Sequence, residues 1–329
     1  MSDTREIAVS VAVITYNMQS YLPQLLDSIL KQKTNFRYEI VIDDDFSPDD
    51  SRTIIMDYAT RYPEIFVLSL RNQNVGGSKN MYGVLRQCRG KYISILEGDD
   101  WWEAEDKLQY QYDFMELHPD FIAMYCNSWC ELSRTESIQR VRRRMEHPLV
   151  FTFDDFLNTH FFDRLPNSTD TAFFRNFFST SPESELDVFW KAHRMVWDQS
   201  LALILYGKGS VYVDPRIVSH HRTIVEKGGT NYQSRYAIED HKVSDAYMYA
   251  RHEEYIENVL QRKCVNFYNV RGKIFAEAFW IAMKSRNPKD WQKALEIWNQ
   301  RKKKWPLIIC TAKWGCRIIH RKVKKMAGR

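Results

Sequence analysis

The chain has 329 residues, 44% of them hydrophobic and 27% charged, a composition typical of a soluble globular protein. It contains no run of about eighteen apolar residues, and residues 1–6 lead into a strand without the apolar core of a signal peptide, so we expect neither a membrane-spanning helix nor a leader. The six cysteines lack paired metal-site spacing, which favours reduced thiols in a cytoplasmic protein over a zinc site.

The net charge of +5 combines two regions of opposite charge. Residues 260–329 hold 19 Lys and Arg against 3 Asp and Glu, whereas the rest of the chain holds 28 basic and 39 acidic residues. We therefore expect the two regions to meet different partners.

From residue 7 to residue 96, buried-strand patterns alternate with amphipathic helical patterns. Strands are predicted at Ile7–Ile14, Tyr38–Ile42, Ile65–Leu70 and Ile93–Leu96. Helices are predicted at Tyr21–Leu30, Ser51–Tyr62 and Ser78–Cys88. This alternation predicts a doubly wound α/β half with a mostly parallel sheet.

The second part of the chain has a less regular pattern. Helices are predicted at Glu103–Leu117, Asp154–Asn158 and much of Leu186–Tyr206, and most of 236–300 is helical in pattern. Strands are predicted at Phe121–Asn127, Asp170–Phe174, Gly209–Val213 and Ile217–His221. The arginine-rich stretch Ser133–Pro148 has weak periodicity and is interpreted as a loop.

Two acidic clusters follow two of the predicted strands. Asp43–Asp45 ends one of them, and Glu97, Asp99 and Asp100 end another. Parallel strands that share a direction end at the same edge of a sheet, where open α/β sheets bind ligands. Like charges this close repel unless a cation or several donors neutralise them. The pattern predicts a divalent metal that holds a phosphate-bearing substrate, and a solvated acidic turn is the alternative for the motif alone.

A glycine turn, Asn74–Lys79, opens the helix between the two clusters. Free backbone amides at a helix start bind phosphate, and Lys79 could add positive charge. Together with the acidic clusters, this turn predicts a site for a nucleoside diphosphate.

Four segments in order resemble the successive motifs of family 2 inverting glycosyltransferases, which have the GT-A fold. They are Val13–Asn17, Glu39–Ser47, Asn74–Asn80 and Gly90–Trp102. The resemblance covers about residues 7–127 and, more loosely, 165–225. It implies a GT-A, Rossmann-like, mixed and mostly parallel sheet flanked by helices. The transferase domain would be residues 1–230, with a nucleotide-binding half at 1–128 and an acceptor half at 129–230, and residues 231–329 would form a helical extension with a basic tail.

The same resemblance implies a set of donor-binding residues. Thr15, Tyr16 and Asn17 match positions that line the base and ribose, and Asp44 matches the acidic residue that pairs with a uracil ring nitrogen. Lys79 and Asn80 match glycine-turn positions near the nucleotide. We therefore expect a nucleotide-sugar donor, in particular a UDP-sugar.

Glu97, Gly98 and Asp99 match the family's DxD motif, with Glu97 in place of the first Asp. Glu97 can still accept hydrogen bonds from ribose hydroxyls, and Asp99 matches the position that contacts Mn²⁺ or Mg²⁺, with Asp100 as a second candidate. His221 is a further candidate ligand, although the family often has a Tyr-Arg pair where His221-Arg222 stands. An ordinary surface or acceptor-site histidine is the alternative.

Trp197-Asp198-Gln199-Ser200-Leu201 resembles the family segment that carries the catalytic base. Inverting transfer requires a carboxylate that takes the proton of the acceptor hydroxyl, and the resemblance implies that Asp198 has this role. The alternatives are a first-turn Asp favoured by the helix dipole, and a base at Glu239-Asp240. Trp101 and Trp102 could stack on an acceptor sugar or simply pack the next helix.

In Leu307–Val323, apolar and basic residues alternate at helical spacing. A basic amphipathic helix that contains tryptophan is typical of a peripheral contact with an anionic membrane. A solvated helix packed on the domain is the alternative, and nucleic-acid binding is disfavoured because no recognition fold accompanies the charge.

These features predict a metal-dependent inverting transferase at the cytoplasmic face of the membrane. Its acceptor would be a lipid-linked glycan or a surface polysaccharide such as capsule or lipopolysaccharide. A nucleotidyltransferase is one alternative, but Thr15–Ser20 has neither the glycine nor the lysine expected after its first strand. A non-catalytic, membrane-peripheral assembly protein is another, although every expected carboxylate position is occupied by an acid.

Overall fold

A ten-stranded sheet forms the centre of the first of two units, Met1–Ile238 and Glu239–Arg329, in the computed structural model. The structure describes residues 6–133, 138–142, 145–158, 168–224, 241–263, 265–285, 287–300 and 308.

Four parallel strands build the first half of the sheet in the order β3-β2-β1-β4. They are β1 (Ile7–Thr15), β2 (Arg37–Asp44), β3 (Phe66–Leu70) and β4 (Tyr92–Glu97). The connecting helices are α1 (Leu22–Leu30), α2 (Ser51–Arg61) and α3 (Gly77–Gln87). The predicted doubly wound half is confirmed. β1, β2 and β4 are buried over most of their length, as their continuous apolar runs require.

The second half makes the sheet mixed. β6 (Phe121–Ser133) runs parallel to β10 (Ser210–Ile224), and β9 (Phe173–Arg175) joins β4 to β6 through antiparallel pairing. The shorter strands β5 (Trp101–Trp102), β7 (Ile138–Arg142) and β8 (Leu149–Phe151) pair with β10, β6 and β10 respectively. The predicted GT-A-like sheet, mixed but mostly parallel, is therefore present.

Two strand predictions in this half were wrong. The stretch interpreted as a loop contains β7, which pairs with the extended end of β6. The two strands predicted after residue 208 are one strand, β10, whose pairing with β6 shifts register between Asp214 and Ile217. Pro215 lies in that irregularity. Proline has no N–H to donate to a neighbouring strand, so in the sequence it suggested that a strand ends there.

The helix predicted at Glu103–Leu117 is shorter than expected, the one predicted at Asp154–Asn158 is present, and the helical stretch Leu186–Tyr206 is divided into shorter helices. They are α4 (Lys107–Leu117), α5 (Phe153–Asn158), α6 (Glu183–Leu186), α7 (Val188–Lys191) and α8 (Asp198–Lys208). A 3₁₀ turn at Thr169–Thr171 precedes β9, so Asp170 lies in a turn and not in the predicted strand. Ser200–Tyr206 of α8 are all buried, and this helix therefore belongs to the core.

The second unit contains α9 (Lys242–Asn258), α10 (Val265–Ser285) and α11 (Pro288–Gln300). Its core includes small residues, Ala246, Ala250, Ala278, Ala282 and Ala294, which allow close helix contact. None of the helices within the described residues is long and apolar enough to cross a bilayer. Apart from Ile308, the predicted basic amphipathic segment lies outside the described residues.

Candidate active site

Three neighbouring strands end together at one edge of the sheet. The register pairs Thr15 of β1 with Asp44 of β2, and Ile14 with Glu97 of β4. The two acidic clusters therefore share an edge, as their positions after parallel strands predicted.

Asp100 joins this edge to β10. Its side chain is fully buried, Arg222 N donates to Oδ1 at 2.8 Å, and His221 Nδ1 lies 3.1 Å from Oδ2. Arg222 Nη1 also donates to the carbonyl oxygen of Asp99 at 2.6 Å. These contacts hold the turn after β4 against the C-terminal part of β10.

Asp170 is the functional candidate that the sequence missed. Asp100, Asp170 and His221 each place one possible ligand atom within 4.8 Å of the other two. In the described part of the chain, this is the one group of three or more such side chains that could hold a metal ion. Asp170 is fully buried and accepts hydrogen bonds from Ser168 Oγ, at 2.5 Å, and from Ser219 Oγ. A charged residue between two threonines, directly before the apolar run Ala172–Phe174, was the signal available in the sequence.

This donor set fits a divalent cation. Two carboxylates and one imidazole supply the oxygen and nitrogen ligands that Mn²⁺ accepts, and carboxylates suit Mg²⁺. The structure brings the predicted ligands Asp100 and His221 together. The carboxylate of Asp99 is outside this group and half-buried beside it.

Burial and mutual repulsion disfavour negative charge in the cluster. Loss of hydration, and then the charges of Asp100 and Asp99, raise the pKa of Glu97 to about 8. Loss of hydration and the charge of Asp100 raise the pKa of Asp99 to about 7, and burial also raises the pKa of Asp100. A cation bound here would relieve this repulsion.

Glycine allows β1 and β4 to meet closely at this edge. A Cβ atom on Gly98 would lie 2.7 Å from Thr15 Oγ1. Thr15 Oγ1 is buried, and no hydrogen-bond partner for it occurs among the described residues. Tyr16 and Asn17 follow it and are half-buried, so this strand end combines an unsatisfied hydroxyl with two partly accessible polar side chains.

With this geometry established, comparison with known proteins places the chain. Residues 10–178 match the family described as "Glycosyl transferase family 2". The chain belongs to this family. The match favours a glycosyltransferase over the nucleotidyltransferase and the non-catalytic alternatives.

Two curated relatives and one solved structure indicate the range of similarity. The chain is 39% identical over 112 residues to the uncharacterized protein Rv1520 of Mycobacterium tuberculosis, covering 34% of this chain and 32% of that one. It is 34% identical over 107 residues to the putative teichuronic acid biosynthesis glycosyltransferase TuaG of Bacillus subtilis, covering 32% of this chain and 41% of TuaG. The fold is similar to that of S. aureus TarS 1-349 in complex with UDP-GlcNAc, with a TM-score of 0.61, 17% identity, and coverage of 88% and 79%.

Asp44, which the resemblance matches to a base-pairing residue, is inaccessible in the structure. It is fully buried, Arg52 Nε and Ser47 N donate to Oδ2 at 2.8 and 3.0 Å, and Ser47 Oγ donates to Oδ1. A carboxylate held in this way presents no exposed face to a base, while the Arg52 side chain beside it is 29% exposed.

The glycine turn also differs from its predicted form. Val75 N and Gly76 N donate to the carboxylate of Asp45 at 2.7 and 2.8 Å, and Ser78 N donates to the carbonyl oxygen of Arg194 at 3.0 Å. These amides are therefore bonded within the protein and do not face a diphosphate. The carboxylate of Asp45, which follows the end of β2, accepts the hydrogen bonds that the sequence predicted for a diphosphate.

The two predicted ligands after this turn make internal contacts. Lys79 is exposed, and its Nζ lies 5.5 Å from the centre of the Trp190 ring. Asn80 is buried, and its side-chain nitrogen lies 3.3 Å from the carbonyl oxygen of Asp43. Neither residue joins the group around Asp100.

Asp198 begins α8 and is half-buried. The segment before it packs on the start of α3, where Met195 O and Trp197 Cδ1 lie 3.4 and 3.8 Å from the position of a Cβ on Gly77. Burial raises the pKa of Tyr125 on β6, and the negative charge of Asp198 raises it further. Asp198 thus lies between the glycine turn and the sheet, whereas the rival pair Glu239-Asp240 lies outside the described residues.

The sequence left two interpretations open for Trp102, stacking on an acceptor sugar and packing inside the protein, and the structure favours packing. Its ring is buried, and Nε1 donates to the carbonyl oxygen of Asp170 at 2.9 Å. Trp101 is half-buried and stacks on His220 with a centroid distance of 3.9 Å. Trp102 therefore supports the turn that carries Asp170 and cannot serve as an acceptor floor.

Lys107 was also missed. It is fully buried beneath Trp102, with Nζ 2.8 Å from Ser94 Oγ and 4.2 Å from the Trp102 ring centre. Burial lowers the pKa of Lys107 to about 7. Its spacing with Gln111 and Met115, both buried on the same helix, was a signal that it faces the core.

Proposed function

We propose that this chain is a metal-dependent, inverting glycosyltransferase that uses a nucleotide-diphosphate sugar, in particular a UDP-sugar, as donor. The acceptor is a hydroxyl of a lipid-linked glycan or a polysaccharide. The observation that carries the proposal is the convergence of Asp100, Asp170 and His221 at the edge where β1 and β4 end.

Mn²⁺ or Mg²⁺ would be held by Asp100, Asp170 and His221. Asp99, the neighbour of Asp100 in sequence, would supply a further ligand. When bound, the ion would supply a Lewis acid that stabilises the departing diphosphate. The buried hydrogen bonds from Ser168 and Ser219 to Asp170, and from Arg222 N to Asp100, would keep the carboxylates oriented.

The donor's ribose would lie across the ends of β1 and β4. Thr15, Tyr16 and Asn17 provide polar groups from β1, and Gly98 leaves room beside Thr15. Glu97 accepts a hydrogen bond from Thr169 Oγ1 at 2.7 Å, which orients its carboxyl group for the ribose hydroxyls. Asp44 acts indirectly, because it positions Arg52.

Asp198 is the proposed base. It would take the proton of the acceptor hydroxyl while that oxygen forms a bond to the anomeric carbon and the bond to the diphosphate breaks on the opposite face. Asp198 lies in the first turn of α8, where the helix dipole favours a negatively charged side chain. In this arrangement residues 1–128 supply the base and ribose contacts, Asp170 and His221 help to hold the ion, and the other residues of 129–230 meet the acceptor.

The relatives support the substrate class. TarS is described in complex with UDP-GlcNAc, and TuaG is named for teichuronic acid biosynthesis. Synthesis of a sugar polymer of the cell surface would require access to the membrane. The basic region 260–329 favours contact with an anionic membrane surface. Residues 231–329 would form a peripheral extension at the inner face of the membrane.

Transfer from a panel of nucleotide sugars, measured with Mn²⁺, with Mg²⁺ and with chelator, tests this proposal. We expect transfer or donor hydrolysis that requires the cation and is lost in Asp99→Ala and Asp170→Asn. Activity that persists in excess chelator would contradict the metal role. Binding of no nucleoside diphosphate by the wild-type protein would contradict the donor class.

A further inference from the structure

Phe46 has an unusual conformation for a bulky residue. Its φ is 64°, in the left-handed region, and its side chain is 51% exposed. This backbone conformation is disfavoured for residues with a Cβ atom, and for a bulky residue it is an outlier that favours a functional interpretation. Phe46 lies two residues after the end of β2, at the edge where the donor is proposed to bind.

The backbone around Phe46 is held by its two neighbours. Asp45 N donates to Thr15 O at 3.0 Å, and the Asp45 carboxylate accepts from Val75 N and Gly76 N. On the other side, Ser47 N donates to Asp44, and Ser47 Oγ accepts from Asn17 N at 2.9 Å.

Both flanking residues are therefore fixed by contacts that do not involve the phenyl ring. Glycine or asparagine could adopt the same conformation at this position with less strain. The turn thus requires a left-handed residue but does not require an aromatic one.

The ring lies beside a guanidinium group. Arg52 Cζ is 5.5 Å from the centroid of the Phe46 ring, and Arg52 Nε is anchored to Asp44 at 2.8 Å. Arg52 Nη2 also donates to the carbonyl oxygen of Arg71. A partly exposed aromatic face next to an oriented guanidinium suits a flat heterocycle, which can stack on the ring and accept hydrogen bonds through its carbonyl oxygens.

We propose that Phe46 contacts the nucleobase of the donor, and that Arg52, positioned by Asp44, contributes to the choice of base. This inference rests on the proposed function, because it assumes a nucleotide-sugar donor. With Asp44 fully buried, Phe46 and Arg52 would be the groups at this edge that contact the base.

The test is Phe46→Gly, with Phe46→Asn as a second variant and Phe46→Tyr as the matched aromatic control. Calorimetry with Mn²⁺ would compare UDP, GDP and ADP with inorganic pyrophosphate, which lacks a base. Base stacking on aromatic side chains predicts that UDP binds about 5- to 100-fold more weakly to the Gly and Asn variants, with pyrophosphate binding unchanged. Phe46→Tyr should bind UDP like the wild type.

Thermal unfolding separates this role from a structural one. We expect the midpoint of Phe46→Gly to equal or exceed that of the wild type, because glycine relieves the left-handed strain. Unchanged UDP affinity in Phe46→Gly, or an equal loss for UDP and pyrophosphate, overturns the inference while the proposed function stands. A wild-type protein that binds none of these nucleotides overturns both.

Discussion

His221 Nδ1 lies 3.1 Å from Oδ2 of Asp100, although the two residues are 121 positions apart in the chain. The contact connects the turn after β4 to β10, and both side chains face Asp170 closely enough to share one ion. The imidazole of His221 therefore helps to join the two halves of the sheet at the proposed metal site, together with Arg222.

Replacement of His221 by Gln should weaken the proposed metal site. We expect the Mn²⁺ concentration for half-maximal activity to rise about 10- to 100-fold, as for other changes at metal-site side chains. A Mn²⁺ titration of transfer activity measures this, with His118→Gln, an exposed histidine after α4, as the control. An unchanged Mn²⁺ requirement would show that His221 is no ligand.

Replacement of Asp198 by Asn should remove the base and preserve donor binding. General-base catalysis contributes about 10²- to 10⁴-fold, so we expect kcat to fall by that factor while the UDP dissociation constant stays constant. Steady-state transfer kinetics and calorimetry give the two quantities. Asp187→Asn, which removes a carboxylate paired with Lys191, is the control, and a near-normal kcat in Asp198→Asn would refute the assignment.

The buried ammonium of Lys107 predicts a pH dependence of stability. Its pKa is lowered to about 7 from an ordinary 10.5, so between these pH values the unfolded chain binds a proton that the folded chain does not. The contribution of Lys107 to the unfolding free energy therefore increases with pH across this window, by at most about 1.4 kcal/mol per pH unit. Below pH 7 Lys107 is protonated in both the folded and the unfolded chain, so this gain in the unfolding free energy is absent.

Urea unfolding at pH 7 and pH 9 would measure this effect. Lys107→Met, which fills a similar volume without a charge, should remove that part of the slope with pH. Lys33→Met is the control, because the Lys33 side chain is 77% exposed. The same slope in wild type and Lys107→Met would mean that Lys107 does not titrate in this range.

Gly76 should tolerate no side chain. Its φ is 90°, and a Cβ there would lie 2.9 Å from the carbonyl oxygen of Arg194. We expect Gly76→Ala to lower the unfolding free energy by about 2 kcal/mol or more. Gly77→Ala is the matched control, since its nearest contact would be an ordinary 3.4 Å from Met195 O. Equal stability of the two variants in urea unfolding would contradict the strain argument.

Removal of residues 301–329 should reduce membrane binding. Each basic residue near an anionic surface contributes about 1 kcal/mol, so cosedimentation with phosphatidylserine vesicles should fall strongly and should also decrease with salt. Neutral phosphatidylcholine vesicles are the control. Equal binding of the full and shortened chains to anionic vesicles would place the contact elsewhere.

The local order of strands and helices was predictable because apolar periodicity reports directly on burial. The continuous apolar run Ile7–Ile14 predicted the central strand β1, and the register of β1 with β2 and β4 followed the expected parallel arrangement. Pro215 shows where this reasoning fails. A missing N–H suggests a strand end locally, but a shift in register allows β10 to continue.

Residue type and spacing alone determined the family resemblance, the acidic edge and the placement of Glu97, Asp99 and Asp100 after a buried strand. Only the tertiary structure decided which polar groups meet. Asp170 joins Asp100 and His221 because β4, β9 and β10 belong to one sheet, and the turn amide of Gly76 is satisfied by Asp45, a partner that sequence distance conceals. Periodicity encodes which face of an element is buried, whereas hydrogen-bond partners depend on the three-dimensional pairing of distant segments.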